Sequence, residues 1–327
     1  MKVIDMHCDT IAELYVLRQK HEADSLRRSR LHIDLEKMKQ GDYGLQNFAL
    51  YVNLEEHENA YEYACELADL FHREMADYSD LIGVVRNWAE IEANWQAGKM
   101  SAMLTLEEGG ICQGQIDKLH DFYDLGARMM TLTWNFENEL AYPNYCTDGV
   151  WKPDTERGLK AKGIEFVREM ERIGMIIDIS HLNDAGIRDV FLHTQKPFVA
   201  SHSNARAVTG HPRNLTDEML RQLSDRGGVA GINFMSFFLR EEDGPVRPLN
   251  SNISEMICHM KHMRQIGGIE CIGLGSDFDG IPSIVEFGNA AGMQRLAEEM
   301  EREGFTEGEI EAVFHKNVLR VYKEILS

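Results

Sequence analysis

Short runs rich in Val, Ile, Leu and Met recur along the chain, separated by longer stretches in which apolar residues fall three and four positions apart. Eight runs stand out: Val3 to His7, Leu45 to Val52, Ala102 to Glu107, Arg128 to Thr133, Met175 to His181, Phe198 to His202, Val229 to Phe234 and Cys271 to Gly275. Near-continuous apolarity is what a strand covered on both faces requires. The intervening stretches, such as 60–75, 163–172 and 217–222, carry the period of amphipathic helices. Strand followed by helix, repeated around the series, predicts an α/β fold: a single (β/α)8 barrel of the TIM type spanning residues 1–327 as one domain. An open doubly wound sheet is the alternative, but "LEEGGICQG" lacks G-x-G-x-x-G and no G-x-x-x-x-G-K-[ST] occurs.

Polar residues interrupt this pattern where the runs end. His7 and Asp9 close the first run, Glu107 and Glu108 the third, His181 the fifth, His202 the sixth and Asp277 the eighth. Strand ends of a parallel barrel all point to one face, so residues about 270 positions apart converge on one small volume. Three imidazoles and several carboxylates in such a volume suit one or two divalent metals. The period of two in "HCD" sets His7 and Asp9 on one side and Cys8 on the other. Glu107 and Glu108 are adjacent, so only one of them faces the interior. Asp178 has the parity opposite to His181 and reads as an outward or loop-facing hydrogen-bond partner. Asp279 reads as turn chemistry beside Gly280, and His211 in "GHPRN" as peripheral. The other histidines, His32 and His259 among them, lie away from strand ends and carry no expected role.

Charge narrows the partners. With 34 Lys and Arg against 54 Asp and Glu, the net charge is −20. A surface this negative repels phosphate backbones and anionic lipid heads, which argues against nucleic-acid and membrane partners. The absence of an 18-residue apolar run and of a signal-peptide pattern at "MKVIDMHCDT" predicts a soluble, cytoplasmic protein. Six cysteines without C-x-x-C spacing read as reduced, structural thiols.

Taken in order, "IDMHCDT", "LEEGG", "IDISH", "SHSNARAV", "HPRNLTDE", "GLGSDFDG" and "NVLRVYKEI" resemble the renal or membrane dipeptidases, zinc peptidases of the amidohydrolase superfamily, over nearly the whole chain. The resemblance implies two zinc ions per chain, one held by His7 and Asp9 and the other by His181 and His202. The glutamate before Gly-Gly, Glu108, would bridge them. No Lys ends a candidate strand to serve as a carbamylated bridge, and Glu108 fits that place. By the same resemblance, Asp277 contacts the nucleophilic water between the metals and shuttles its proton, and Arg213 pairs with the substrate carboxylate. Mammalian members carry a substrate-side His in a T-L-T-H pattern, where this chain reads "TLTWN" with Trp134. They also carry a signal peptide and a lipid-anchor tail, so the resemblance is to a soluble bacterial-type member. Trp134 would shape the substrate pocket with Phe136 and Tyr142 nearby.

The implied activity is zinc-dependent hydrolysis of the peptide bond of a small dipeptide, with a bidentate Arg213 favouring short free peptides over proteins. Two alternatives stay open: another amidohydrolase reaction on an N-acyl amino acid, lactone or cyclic amide, and a catalytically retired metal-binding barrel. A homodimer is left open as well.

Overall fold

The strands β1 (Val3–Asp5), β2 (Tyr43–Tyr51), β3 (Met100–Glu107), β4 (Ala127–Thr131), β5 (Ile176–Asp178), β6 (Val199–Ala200), β7 (Val229–Ile232) and β8 (Ile272–Leu274) pair in parallel in this order. The register Asp5 with Leu274 joins β1 to β8, and Leu45 to Tyr51 run beside Ser101 to Glu107, which closes the ring. The computed structural model describes residues 1–22, 24–147, 150–241 and 249–327. A closed parallel barrel with surrounding helices is the architecture that the eight apolar runs predict.

Two apolar layers hold it. Ile4, Met6, Leu45, Met103, Met129, Ile176, Val199 and Val229 fill the barrel interior. The C-terminal helix Asn317–Ile325 closes the end at which the strands begin: Val318 and Tyr322 join the interior cluster, and Asn317 Nδ2 donates to the Ile272 carbonyl at 2.8 Å. A second, larger layer packs between strands and helices, with Phe48, Phe71, Phe122 and Phe166 all fully buried. Each helix contributes its apolar stripe, as the 3.6-residue period requires.

The helices over 60–75, 163–172 and 217–222 appear as Ala60–Asp77, Ala161–Ile173 and Asp217–Asp225. Their ends follow local chemistry: Thr216 caps the last by accepting from the Met219 N–H, and Gly174, at φ 76°, ends the second. A ninth strand, Ile82–Val84, pairs beside Met100 to Ala102 and was not anticipated, because a three-residue run carries no readable period. Among the described residues, two small pairs lie outside the barrel, Tyr145–Thr147 with Val150–Lys152, and Asn250–Ser251 with Ile284–Val285. Most barrel strands stop two or three residues before the polar positions that follow them, so His7, His181, His202 and Asp277 stand on the exits rather than in the ladders. Among the described residues, no helix is long and apolar enough to cross a membrane.

Candidate metal centre and substrate cavity

At those exits the backbone turns sharply. Glu108, His181 and Asp277 have φ of 112°, 67° and 60°, a region side chains with a Cβ enter at a cost that functional sites commonly bear. The turns bring three imidazoles together. His181 Nε2 lies 2.9 Å from His202 Nε2, and the rings of His7 and His202 lie tilted at 31° with centroids 3.9 Å apart.

Glu107, and not Glu108, faces them. Its carboxylate lies 3.2 Å from His7 Nε2, 3.0 Å from His181 Nε2 and 3.6 Å from His202 Nε2. The inward assignment of Glu108 is therefore corrected. Met103 fills the barrel interior, and the alternation of β3 carries Glu107 to the same side. Glu108 leaves the strand and its carboxylate is taken up locally: it accepts from the Gly110 N–H, from the Trp134 N–H at 2.8 Å and from Asn138 Nδ2. Burial pushes the Glu108 carboxyl up to about 7, against those hydrogen bonds. The residue pins the turn after β3 to the Trp134 loop.

His7 Nε2 also lies 3.6 Å from Asp9 and 3.7 Å from Asp277. Three overlapping groups with mutually close ligand atoms result: His7, Asp9 and Glu107; Glu107, His181 and His202; His7, His202 and Asp277. Their protonation can be traced from the outside inwards. Asp178 accepts the Ser201 hydroxyl at 2.5 Å, so Ser201 has no proton left for His202 Nδ1 at 2.7 Å and must accept from it. His181 Nδ1 likewise faces the acceptor Asn135 Oδ1 at 3.0 Å. Both rings then turn unprotonated Nε2 atoms towards each other and towards a Glu107 oxygen. Burial holds both imidazoles well below their usual range, in agreement with neutral rings.

His7 Nε2, Asp9 Oδ1 and Glu107 Oε2 are buried and without a hydrogen-bond partner among the described residues. Convergent nitrogen and carboxylate atoms left without hydrogen-bond partners are the donor set of a divalent cation, and this ligand mix suits zinc. Burial raises the carboxyls of Asp9 and Asp277, with Glu107 next in raising Asp9, a sign of crowded negative charge. For His7, burial depresses the imidazole but Glu107 and Asp9 override it. Gly280 lets the Asp277 turn approach this cluster: a Cβ there would meet Asp9 Oδ2 at 1.9 Å.

A cavity of about 260 Å³ opens onto the cluster, lined by Asp9, Glu13, Tyr51, Glu107, Trp134, Asn135, His181, Met235, Phe238, Asp277 and Ile281 among others. Trp134 packs edge-on to Tyr51 at 5.1 Å and lies 6.1 Å from the His181 ring. Phe136 packs on Trp134, but neither Phe136 nor Tyr142 lines the cavity; Tyr142 lies under Arg157 and Lys160 instead. Arg213 is buried over the Phe238 ring, donates weakly to Ser203 Oγ and the His202 carbonyl, and leaves Nε unpartnered. Burial lowers its guanidinium to about 10, with Asp277 and Glu107 acting the other way. Asn233 Nδ2 donates to Asp277 Oδ2 at 3.0 Å, holding one oxygen of that carboxylate.

Several of these residues escaped the sequence reading. Tyr51 and Asn233 sit at strand ends, a signal available for both. Asp178 is a hydrogen-bond partner, as its parity implies, but fully buried rather than outward, and its partner Ser201 is visible only once β5 and β6 are paired. Asp279 does serve a turn, accepting from the His32 and Ile33 N–H groups and the Thr10 hydroxyl.

The model of the membrane dipeptidase family, peptidase family M19, matches residues 1–327. An uncharacterized dipeptidase of Schizosaccharomyces pombe is 33% identical over 99% of this chain and 80% of its own length. A crystal structure described as dipeptidase AC, a metallopeptidase of family M19, superposes with a TM-score of 0.90 at 30% identity, covering 100% of this chain and 99% of that one. A Rhodobacter sphaeroides metallopeptidase, solved with a phosphinate mimic of the dipeptide L-Ala-D-Ala, superposes at 0.89 with 28% identity, covering 99% of each chain.

Proposed function

The chain belongs to the membrane dipeptidase family, peptidase family M19, and on that premise we propose that it hydrolyses the peptide bond of free dipeptides with two zinc ions as cofactors. The observation that carries this reading is the convergence of ligand atoms from His7, Asp9, Glu107, His181 and His202, with Asp9, Glu107 and His181 on the wall of one cavity. His7 and Asp9 would hold one ion, His181 and His202 the other, and Glu107 would bridge them. When bound, the zinc pair supplies Lewis-acid polarisation of the scissile carbonyl and activates a water.

The chain's own groups do the rest. Arg213 takes the terminal carboxylate of the substrate, and its unpartnered Nε and weak hydrogen bonds leave the guanidinium free to do so. Asp277, with Oδ2 occupied by Asn233, keeps Oδ1 for the proton of the attacking water. As the carbon–oxygen bond forms and the carbon–nitrogen bond breaks, that proton passes to the leaving amine. Trp134 presents an apolar wall and has no protonatable nitrogen, so it shapes the pocket without exchanging protons. A cavity of about 260 Å³ is small among ligand pockets and suits two residues better than a protein chain. The Rhodobacter sphaeroides protein, bound to a dipeptide mimic, supports a substrate of that size.

The test is a dipeptide panel against N-acyl amino acids, run on zinc-loaded protein with metal analysis. Two zinc ions per chain and turnover of dipeptides are expected. Asp277→Asn should retain zinc and lose about 10²–10⁴-fold in kcat. Turnover confined to N-acyl amino acids, or zinc loss in Asp277→Asn, would overturn the respective assignment.

A further inference from the structure

Glu13 stands in the first turn of the helix Thr10–Gln19, half-buried, on the wall of the substrate cavity. Its carboxylate makes no hydrogen bond or ion pair with any described residue. The other carboxylates on that wall are engaged. Asp9, Glu107 and Asp277 face the imidazoles, and both oxygens of Asp279 accept from His32, Ile33 and Thr10. An acid in a first turn is favoured by the helix dipole, but that benefit does not require it to face a cavity.

Position around the barrel says what Glu13 meets. It follows β1, whereas Arg213 follows β6, and β7 and β8 lie between them in the ring. A dipeptide whose carboxylate is held by Arg213 and whose carbonyl lies at the imidazole cluster therefore sends its amino-terminal residue towards the β1 side. From this juxtaposition we infer that Glu13 is a specificity-determining residue that binds a cationic nitrogen of the substrate's amino-terminal residue. The inference rests on the dipeptidase reading above. The same carboxylate chemistry accepts an α-ammonium or the ammonium or guanidinium of a Lys or Arg side chain, and the experiment separates these sources.

The experiment compares wild type with Glu13→Gln, both zinc-loaded and matched for metal content. The substrates are neutral dipeptides, dipeptides with Lys or Arg first, and the N-acetylated form of each. If Glu13 binds the α-ammonium, the variant loses about tenfold or more in kcat/KM, chiefly through KM, on all free-amino substrates and not on acetylated ones. If it binds the side chain, the loss is confined to Lys- and Arg-first substrates, acetylated or not. An unchanged panel, or an equal fall on every substrate, overturns the inference. Failure of the underlying reading looks different, because wild type itself would then cleave no dipeptide.

Discussion

Asp5 and Asp178 occupy equivalent places on opposite strands of the barrel and share a set of three hydrogen bonds, to which Asp178 Oδ2 adds the Thr131 hydroxyl at 2.7 Å. Each Oδ1 accepts the N–H two residues on, from His7 at 3.3 Å and Ser180 at 2.9 Å, and the N–H of a serine just past the end of the adjacent strand, Ser276 at 2.9 Å and Ser201 at 2.8 Å. Each Oδ2 accepts that serine's hydroxyl, at 2.6 Å and 2.5 Å. The residue after each serine is a member of the proposed site, Asp277 in one case and His202 in the other. A buried carboxylate thus orients the site from beneath on both sides.

Asp178→Asn should accordingly weaken metal retention. The amide would face hydroxyl and N–H donors with a donor of its own, and Ser201 would no longer be held as the acceptor for His202 Nδ1. Losses on removing such partners run at about 10–100-fold in metal affinity. Competition with a chelator measures this, and wild-type retention in Asp178→Asn would show that His202 is oriented by other contacts.

Glu107→Gln and Glu108→Gln should separate metal binding from stability. The first should empty the site and abolish turnover. The second should keep its zinc but lose about 1–3 kcal/mol of stability, since one buried N–H group is left without its acceptor. Metal analysis and urea unfolding read the two effects, and zinc loss in Glu108→Gln would reverse the structural assignment.

His259 predicts a pH dependence unconnected with the site. Fully buried, it accepts the Ala205 N–H at Nδ1 and meets the Leu239 carbonyl at Nε2, and burial lowers its imidazole to about 4 from 6.5. The unfolded chain binds the proton first on acidification. Stability is therefore present above about pH 6.5 and is lost as pH falls towards 4, on the order of 3 kcal/mol in total. Urea midpoints at about pH 7 and about pH 5 should diverge in wild type and converge in His259→Gln. An equal slope in both proteins would assign the effect elsewhere.

Trp134→Phe and Trp134→His distinguish pocket shaping from chemistry. Phe should retain most activity with altered side-chain preference, while His should add a pH-dependent limb near its own pKa. Abolition of turnover by Phe on every substrate would mean that the indole N–H takes part in the reaction.

Much of this was legible in one dimension. A strand buried on both faces must be apolar along its length and a helix must be apolar on one stripe, so the barrel can be counted from the chain, and the imidazoles His7, His181 and His202 follow from their places at the run ends. Tertiary structure alone chose between Glu107 and Glu108. Adjacency guarantees that one points inwards, but which one depends on the register of β3 against its neighbours and on where the backbone turns out of the strand. Asp178 and Ser201 are 23 positions apart, and nothing local marks them as partners. Their pairing follows from the alignment of β5 with β6. Glu13 is an ordinary first-turn acid in the sequence, and only packing set it on the cavity wall without a partner among the described residues, because the pairing of a charge is a property of surroundings assembled from the whole chain.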